Sequence, residues 1–400
     1  MEPKGMLKRY RPSRRGRSPA DAADLLRLAD GLAHATSRLE DVFWENQLTE
    51  HLQRLIADSE EDALNQALDA ASDDEQGETY NVLADAIEAA CEAQQIERDG
   101  VAWDVLLFAA PALAWSRWQI GAGHLADAQL QDLRVQLGAH VFSRSAKIAL
   151  TDYLFSPDQL PRGYVPTAEL ALALGEAAFN REVLRLDTTQ LPETKQFLSD
   201  TRYLIGAVVV PAGAAIFRWQ EDDGNRAEAL KQWQQQGGAA LKPVLAGAAF
   251  ELLLPGAYHM AWRNADHASR AYSLRATLAY LVLTLNLEPK YFQASIGPFS
   301  GRQLEEYRIG FSKLGEDQIL HGIIWPLLDG EDETTDCVGE IEKLLVELGI
   351  GDVRVHEHNF PLDYCDDCGT PLYPNADGEL LHPEVPEEVE QDGGAPQQLH

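Results

Sequence analysis

Two stretches of this chain, about a hundred positions apart, repeat one order of residues, and any fold must accommodate that repetition. From Trp103 an apolar segment runs to Pro111, small residues follow, and then comes Arg117-Trp118-Gln119. A polar helical stretch leads to Gly138, after which Ile148, Leu150 and Leu154 alternate. From Tyr203 the order recurs. Leu204 to Val210 is apolar, Pro211 and small residues follow, and Arg218-Trp219-Gln220 precedes a polar helix through Leu230 and Trp233 to Gly237-Gly238. Phe250, Leu252 and Leu254 close the second copy. The triplets lie 101 positions apart and the prolines 100 apart. One shared tripeptide carries little weight. The shared order carries more, and it implies an internal duplication over 101–200 and 201–300. Val208, Val209 and Val210 select strand in the second copy, because β-branched side chains suit a pleated surface. By analogy Asp104 to Phe108 reads as strand, although a short apolar run alone also fits a buried helix.

The flanks read as other units. Over 19–100, Leu25, Leu28, Ala29 and Leu32, then Leu48, Leu52, Leu55 and Ile56, then Val82, Leu83, Ile87 and Ala90 recur at helical spacing. Ser18-Pro19 with Asp21 and Asp24 marks a helix start, since proline suits the first turn and acids suit the positive end of the dipole. Tyr272 to Leu287 reads as a long apolar helix. Over 301–360, Tyr307, Ile309 and Phe311 alternate as a strand, Gly315 turns the chain, and Ile319 to Trp325 returns it. Ile341, Leu344, Leu345 and Leu348 form a helix closed by Gly349 and Gly351, and Val353 and Val355 begin a last strand. The fold class expected is α+β. An N-terminal helical bundle precedes duplicated β-hairpin–α–β units, ferredoxin-like in layout, and a zinc-knuckle-like segment follows at 361–383.

Charge narrows the partners. The net charge of −31 repels phosphate backbones and anionic lipid heads. The exception is 1–18, where Lys4, Lys8, Arg9, Arg11, Arg14, Arg15 and Arg17 face Glu2 as the only acid. Such a block reads as a disordered arm, and only there is a nucleic acid or an acidic partner expected. The tail over 384–400 reads as acidic and disordered. No run is apolar for the length a bilayer requires, so no membrane span is expected. Four cysteines in 400 residues make no disulfide framework, which points to a reducing cytoplasm.

The chemically specific motif is Cys365-Asp366-Asp367-Cys368-Gly369. Two thiolates at i and i+3 on a tight turn present both sulfurs to one metal, and zinc then needs two more N or S ligands. His356 and His358, expected on one face of a strand, precede the pair, and His382 follows it. The set expected is Cys365, Cys368, His358 and His382 around a structural zinc. With only three ligands, His321 or a water would complete the sphere. A ribbon that has lost its metal is one competing reading. A redox dithiol is the other, and Gly369 and Pro371 argue against the helix it would open. Cys91 and Cys337 read as reduced thiols. No Gly-rich phosphate loop, dinucleotide fingerprint or nucleophile elbow appears. The Arg-Trp pairs read as strand ends with Trp buried and Arg solvated. Glu305-Glu306 and Glu331-Asp332-Glu333 read as solvated faces, and His259 and His267 beside Trp262 and Arg263 read as surface.

Several stretches resemble a bacterial protein family catalogued as a domain of unknown function. They are Leu39-Glu40-Asp41 with Phe43-Trp44-Glu45, Ser156-Pro157-Asp158-Gln159-Leu160-Pro161, Phe217-Arg218-Trp219-Gln220, and Glu306-Tyr307-Arg308-Ile309-Gly310-Phe311. The knuckle with Pro371-Leu372-Tyr373 and Leu381-His382 belongs to the same set. The resemblance spans most of the chain. It implies a cytosolic bacterial protein, favours His382 as a ligand because it travels with the knuckle, and implies no activity. Two functions follow as expectations. One is a non-enzymatic binding or regulatory protein with a protein partner. The other is a metal-assisted hydrolase or transferase with its site between the duplicated units.

Overall fold

The computed structural model describes residues 18–72, 77–118, 120–194 and 198–384. The basic block up to Arg17, Gln119 and the tail from Val385 lie outside the described residues. The structure is mixed α and β with more than one sheet.

Four helices come first: α1 (Ser18–Ala33), α2 (Arg38–Ala57), α3 (Glu61–Ala71) and α4 (Glu78–Glu92). Their apolar stripes, among them Leu25, Leu52, Leu64 and Ile87, share one core. The stretch read as helical up to residue 100 ends sooner. β1 (Ala93–Arg98) already pairs with β2 (Val101–Trp115), Arg98 facing Val101. The two-residue loop between them is Asp99-Gly100, with φ of +55° and +75°. That is the sequence and geometry a tight hairpin favours.

The central sheet is built on β2. In chain order there follow β3 (Gly123–His124), α5 (Asp127–Gln136), β4 (Lys147–Phe155), α6 (Tyr164–Asn180) and β5 (Ser199–Pro211). Next come α7 (Arg226–Gln232), α8 (Gly238–Leu241), β6 (Ala249–Leu252), β7 (Gly256–Ala257) and α9 (Tyr258–Leu285). β2 and β5 pair antiparallel end to end, from Trp103 opposite Pro211 to Trp115 opposite Ser199. β4 lies on the far edge of β5, and β6 and β7 lie on the far edge of β2. Odd-numbered residues such as Leu107, Tyr203 and Ile205 pack under α6 and α9. Even-numbered residues such as Phe108, Leu204 and Val208 pack under α5 and the segment from α7 to α8. Both faces are therefore buried, and this is why these strands read as continuous apolar runs instead of alternating ones. Each of those two helical segments carries a π turn, at Leu137–Val141 and at Trp233–Gly237.

A second sheet follows from β8 (Phe292–Ser300), β9 (Leu304–Lys313) and β10 (His321–Pro326). After them come α10 (Cys337–Glu347), β11 (Asp352–Val355), β12 (Phe360–Pro361), β13 (Tyr373–Pro374) and β14 (Leu380–Leu381). The order is β10-β9-β8-β11, and both β11 and β12 run parallel to β8. α9 joins the two sheets. Tyr258, Ala261 and Ala265 belong to the first core, and Leu274, Leu278 and Leu281 to the second.

The Arg117-Trp118 and Arg218-Trp219 pairs are not strand ends. Arg218–Gln220 is one 3-10 turn, and Trp219 stacks on Phe217 at 4.5 Å. At the earlier triplet Trp118 is 77% exposed, with Arg117 over its ring.

Two helices receive their N-terminal caps from a distant acid. The residues before α6 and α9 are Gly163 and Ala257, neither of which has a side-chain acceptor. Glu61 of α3 accepts from the amides of Tyr164 (2.7 Å) and Val165 (2.8 Å). Glu92, at the end of α4, accepts from the amide of His259 (2.9 Å) and faces its Nδ1 (3.0 Å). Each glutamate satisfies amides that a helix start otherwise leaves open, and each ties the helical layer to the central sheet. Glu61→Ala and Glu92→Ala should each cost about 1 kcal/mol or more by urea denaturation. The exposed Asp69→Ala should change stability little, and equal effects at all three positions would contradict the capping role.

Candidate metal centre

The Cys-x-x-Cys segment is a short ribbon. The Cys365 amide donates to the Thr370 carbonyl (2.8 Å), the Gly369 amide to the Cys365 carbonyl (2.8 Å), and the Leu372 amide to the Asp363 carbonyl (3.2 Å). Tyr364 and Pro371 bridge across it. The turn requires φ of +71° at Gly369, a conformation that glycine adopts without a Cβ clash. The β13 and β14 hairpin, with Tyr373 opposite Leu381, then brings His382 back to the ribbon. His382 Nε2 stands 3.2 Å from Cys368 Sγ. The candidate ligand atoms of Cys365, Cys368 and His382 all lie within 4.8 Å of one another, so the three could hold a metal ion. Zinc bonds of about 2.3 Å to sulfur and about 2.0 Å to nitrogen place tetrahedral ligands about 3.5–3.8 Å apart, inside that limit.

The Cys368 thiol is pulled down to about 6, first by the hydroxyl and amide of Thr370 and then by His382. Its Sγ lies 3.2 Å from the Thr370 hydroxyl. The group is exposed, as is His382, while Cys365 is half-buried. Burial pushes the thiols of Cys91 and Cys337 the other way.

The ribbon is held to the second sheet by a buried arginine. Arg308 of β9 donates through Nη1 to the carbonyls of Asp363 (2.7 Å) and Leu372 (2.9 Å), one on each flank of the cysteines. Its Nε donates to Glu306 (2.6 Å), and its guanidinium lies 4.2 Å from the Phe299 ring and 5.0 Å from that of Tyr364. Beneath the ribbon two glycines lie side by side, Gly310 of β9 and Gly322 of β10. A Cβ at Gly322 would run into the Tyr373 ring, and one at Gly310 into the Pro374 carbonyl. Only a bare backbone lets β13 settle there.

The remaining histidines stand elsewhere. β11 stops at Val355, so His356 and His358 lie on a loop and not on one strand face. His356 Nε2 meets the Asn375 carbonyl at 2.9 Å. The His358 ring packs 4.2 Å from Phe360, and His358 is outside the three-residue group. His321 is also outside it. It is buried near Trp115 and Tyr280, both 6.4 Å away, and desolvation pushes its imidazole down to about 4.

Two of the acids read as solvated are not. Glu306 holds Arg308, and Glu331 makes a bidentate pair with the buried Arg270 at 2.6 and 3.0 Å. Glu305 is exposed. His259 and Arg263 are spent on Glu92 and Glu88. The role of Arg308 left one faint trace in the sequence. Glu306 and Arg308 are two apart on a strand and therefore share a face.

The fold and site define a mixed α and β protein with a Cys2His cluster able to hold a metal, in which no helix among the described residues is long and apolar enough to cross a membrane. The family model described as "Protein of unknown function (DUF2863)" matches residues 10–395, and the chain belongs to that family. No curated protein and no solved structure matches it.

In metal-stripped full-length chain, iodoacetamide labelling of Cys368 should be half-maximal near pH 6, because a lowered pKa leaves the thiolate populated above that value. Thr370→Val should move the midpoint upward. A midpoint of about 8.5, the ordinary thiol value, would contradict the arrangement.

Proposed function

We propose that this is a non-enzymatic binding or regulatory protein of a reducing cytoplasm, in which a structural zinc on Cys365, Cys368 and His382 closes the C-terminal segment. The observation that carries the reading is the convergence of three ligand atoms on a ribbon that Arg308 already fixes from both flanks. Prepositioned ligands lose less freedom when a metal arrives, so binding energy goes into holding the segment closed. Two thiolates and an imidazole suit zinc in particular. A water would complete the sphere in this geometry, and His358 would need to leave Phe360 to replace it.

The central sheet supports the duplication part of the proposal. Its strands run β6-β2-β5-β4, with β2 and β5 antiparallel at the centre. We read this as two interlocked copies in a ferredoxin-like order, each copy's second strand pairing with the other copy's first. Each copy places a π-turn helix on one face and a glutamate-capped helix on the other. Helices cover both sheet faces, so a protein partner would be met at the C-terminal half. One observation favours the alternative of metal-assisted hydrolysis or transfer. Three ligands, two of them exposed, leave a position open, as catalytic zinc does.

Elemental analysis of the purified full chain should give about one equivalent of zinc. Cys365→Ser, Cys368→Ser and His382→Ala should each lose it, and His358→Ala should keep it. Metal-free protein from zinc-replete cells, with both thiols intact, would end the proposal. Loss of zinc in His358→Ala would return that residue to the ligand set.

A further inference from the structure

The edge of the second sheet contains a cleft with a definite local cause. β11 follows β8 as far as Val355 opposite Ile296, and β12 resumes with Phe360 opposite Phe299. Residues 356–359 therefore stand opposite only Gly297 and Pro298. The Ile296 carbonyl faces this edge, where it accepts from the His356 amide (2.9 Å). Alternate residues of a strand direct their backbone groups to the same side, so position 298 faces the same edge. Proline has no N–H to offer there, and the edge chain loops out.

The loop leaves a cavity of about 390 Å³, within the range of small-ligand sites. Ile296, Pro298, Leu304 and Val338 give it an aliphatic lining, and Tyr307 adds an aromatic ring. Glu333 and Glu357 bring carboxylates to its exposed rim. No lysine or arginine lines it among the described residues. The ring of His356, also at the wall, has its Nε2 committed to Asn375. The first turn of α10 would favour an anion, but Asp336 already accepts its Gly339 amide (3.0 Å). An apolar trough with two acids and no cation selects a ligand that is greasy along its length and positive at its end.

We propose that this cleft binds an aliphatic ammonium group, its methylene stem against Leu304 and Val338 and its charge at Glu333 and Glu357. The same chemistry is offered by a free alkyl diamine and by a lysine side chain on a protein partner. Calorimetry on the full-length chain at low salt separates them, with cadaverine and an acetylated lysine-containing peptide as probes. Glutarate, of the same length and opposite charge, is the control. Saturable binding of either amine is expected, weakening with added salt, and roughly tenfold weaker in Glu333→Gln/Glu357→Gln. Tighter binding of cadaverine assigns the site to a free amine, and tighter binding of the peptide assigns it to a partner's lysine. The cleft assignment is overturned if neither amine saturates, if glutarate binds equally well, or if the double variant binds as the native chain does. Both substitutions lie on exposed side chains outside the cysteine ribbon. The zinc content of the variant therefore reports separately on the metal centre.

Discussion

The antiparallel pairing of β2 with β5 is the constraint from which the rest of the molecule follows. Both strands are apolar on both faces, so pairing them creates two surfaces that must be covered. α5 with the α7 to α8 segment covers one, and α6 with α9 covers the other. The starts of α6 and α9 then meet the N-terminal helices, where Glu61 and Glu92 satisfy their open amides. α9 runs on past the central sheet and supplies Leu274, Leu278 and Leu281 to the second core. The cysteine ribbon rests on the outer face of that second sheet, so its position depends on the same pairing at one remove.

A chain with a large acidic excess uses three of its arginines as buried struts. Arg202, Arg270 and Arg308 are at most 2% exposed. Each meets a carboxylate, Asp200, Glu331 and Glu306 respectively, and each also donates to backbone carbonyls. Arg202 reaches the carbonyls of Ile120 and Gly121, Arg270 that of Pro326, and Arg308 those of Asp363 and Leu372. A strut of this kind is weak evidence for net stability, because desolvation offsets much of the attraction. Asp200 illustrates this, for burial raises its pKa despite the adjacent guanidinium. Removing one partner is a different matter, since it strands a buried charge at a cost of about 3–5 kcal/mol. The struts therefore fix loops in place more than they add stability, and the loop that Arg308 fixes is the one carrying the cysteines.

Local chemistry was readable in some places and not in others. The Asp99-Gly100 hairpin lies in a stretch whose apolar spacing continues a helical rhythm, and the turn chemistry outweighed that rhythm. Trp118 and Trp219 share a tripeptide yet differ in exposure, because Phe217 precedes the second triplet and stacks on Trp219, whereas Ser116 precedes the first. Glu306 and Glu331 look like members of exposed acidic runs; the two-residue spacing to Arg308 is the one local hint of a buried arginine for Glu306, and Arg270 lies 61 positions from Glu331.

By itself the sequence determined the apolar strands, the helical spacing, the order of residues shared by the stretches after Trp103 and after Tyr203, and the cysteine pair, because each is a property of neighbours along the chain. It also offered four histidines for one metal without ranking them by distance. Only the tertiary structure separates them by distance from the cysteines. It brings His382 to Cys368 through a hairpin, leaves His358 against Phe360 and His356 against Asn375, and buries His321 near Trp115. It also opened the cleft beside Pro298, where a missing N–H on one strand meets a loop from another. Such outcomes depend on which segments the folded backbone sets side by side, and spacing along the chain does not encode that distance.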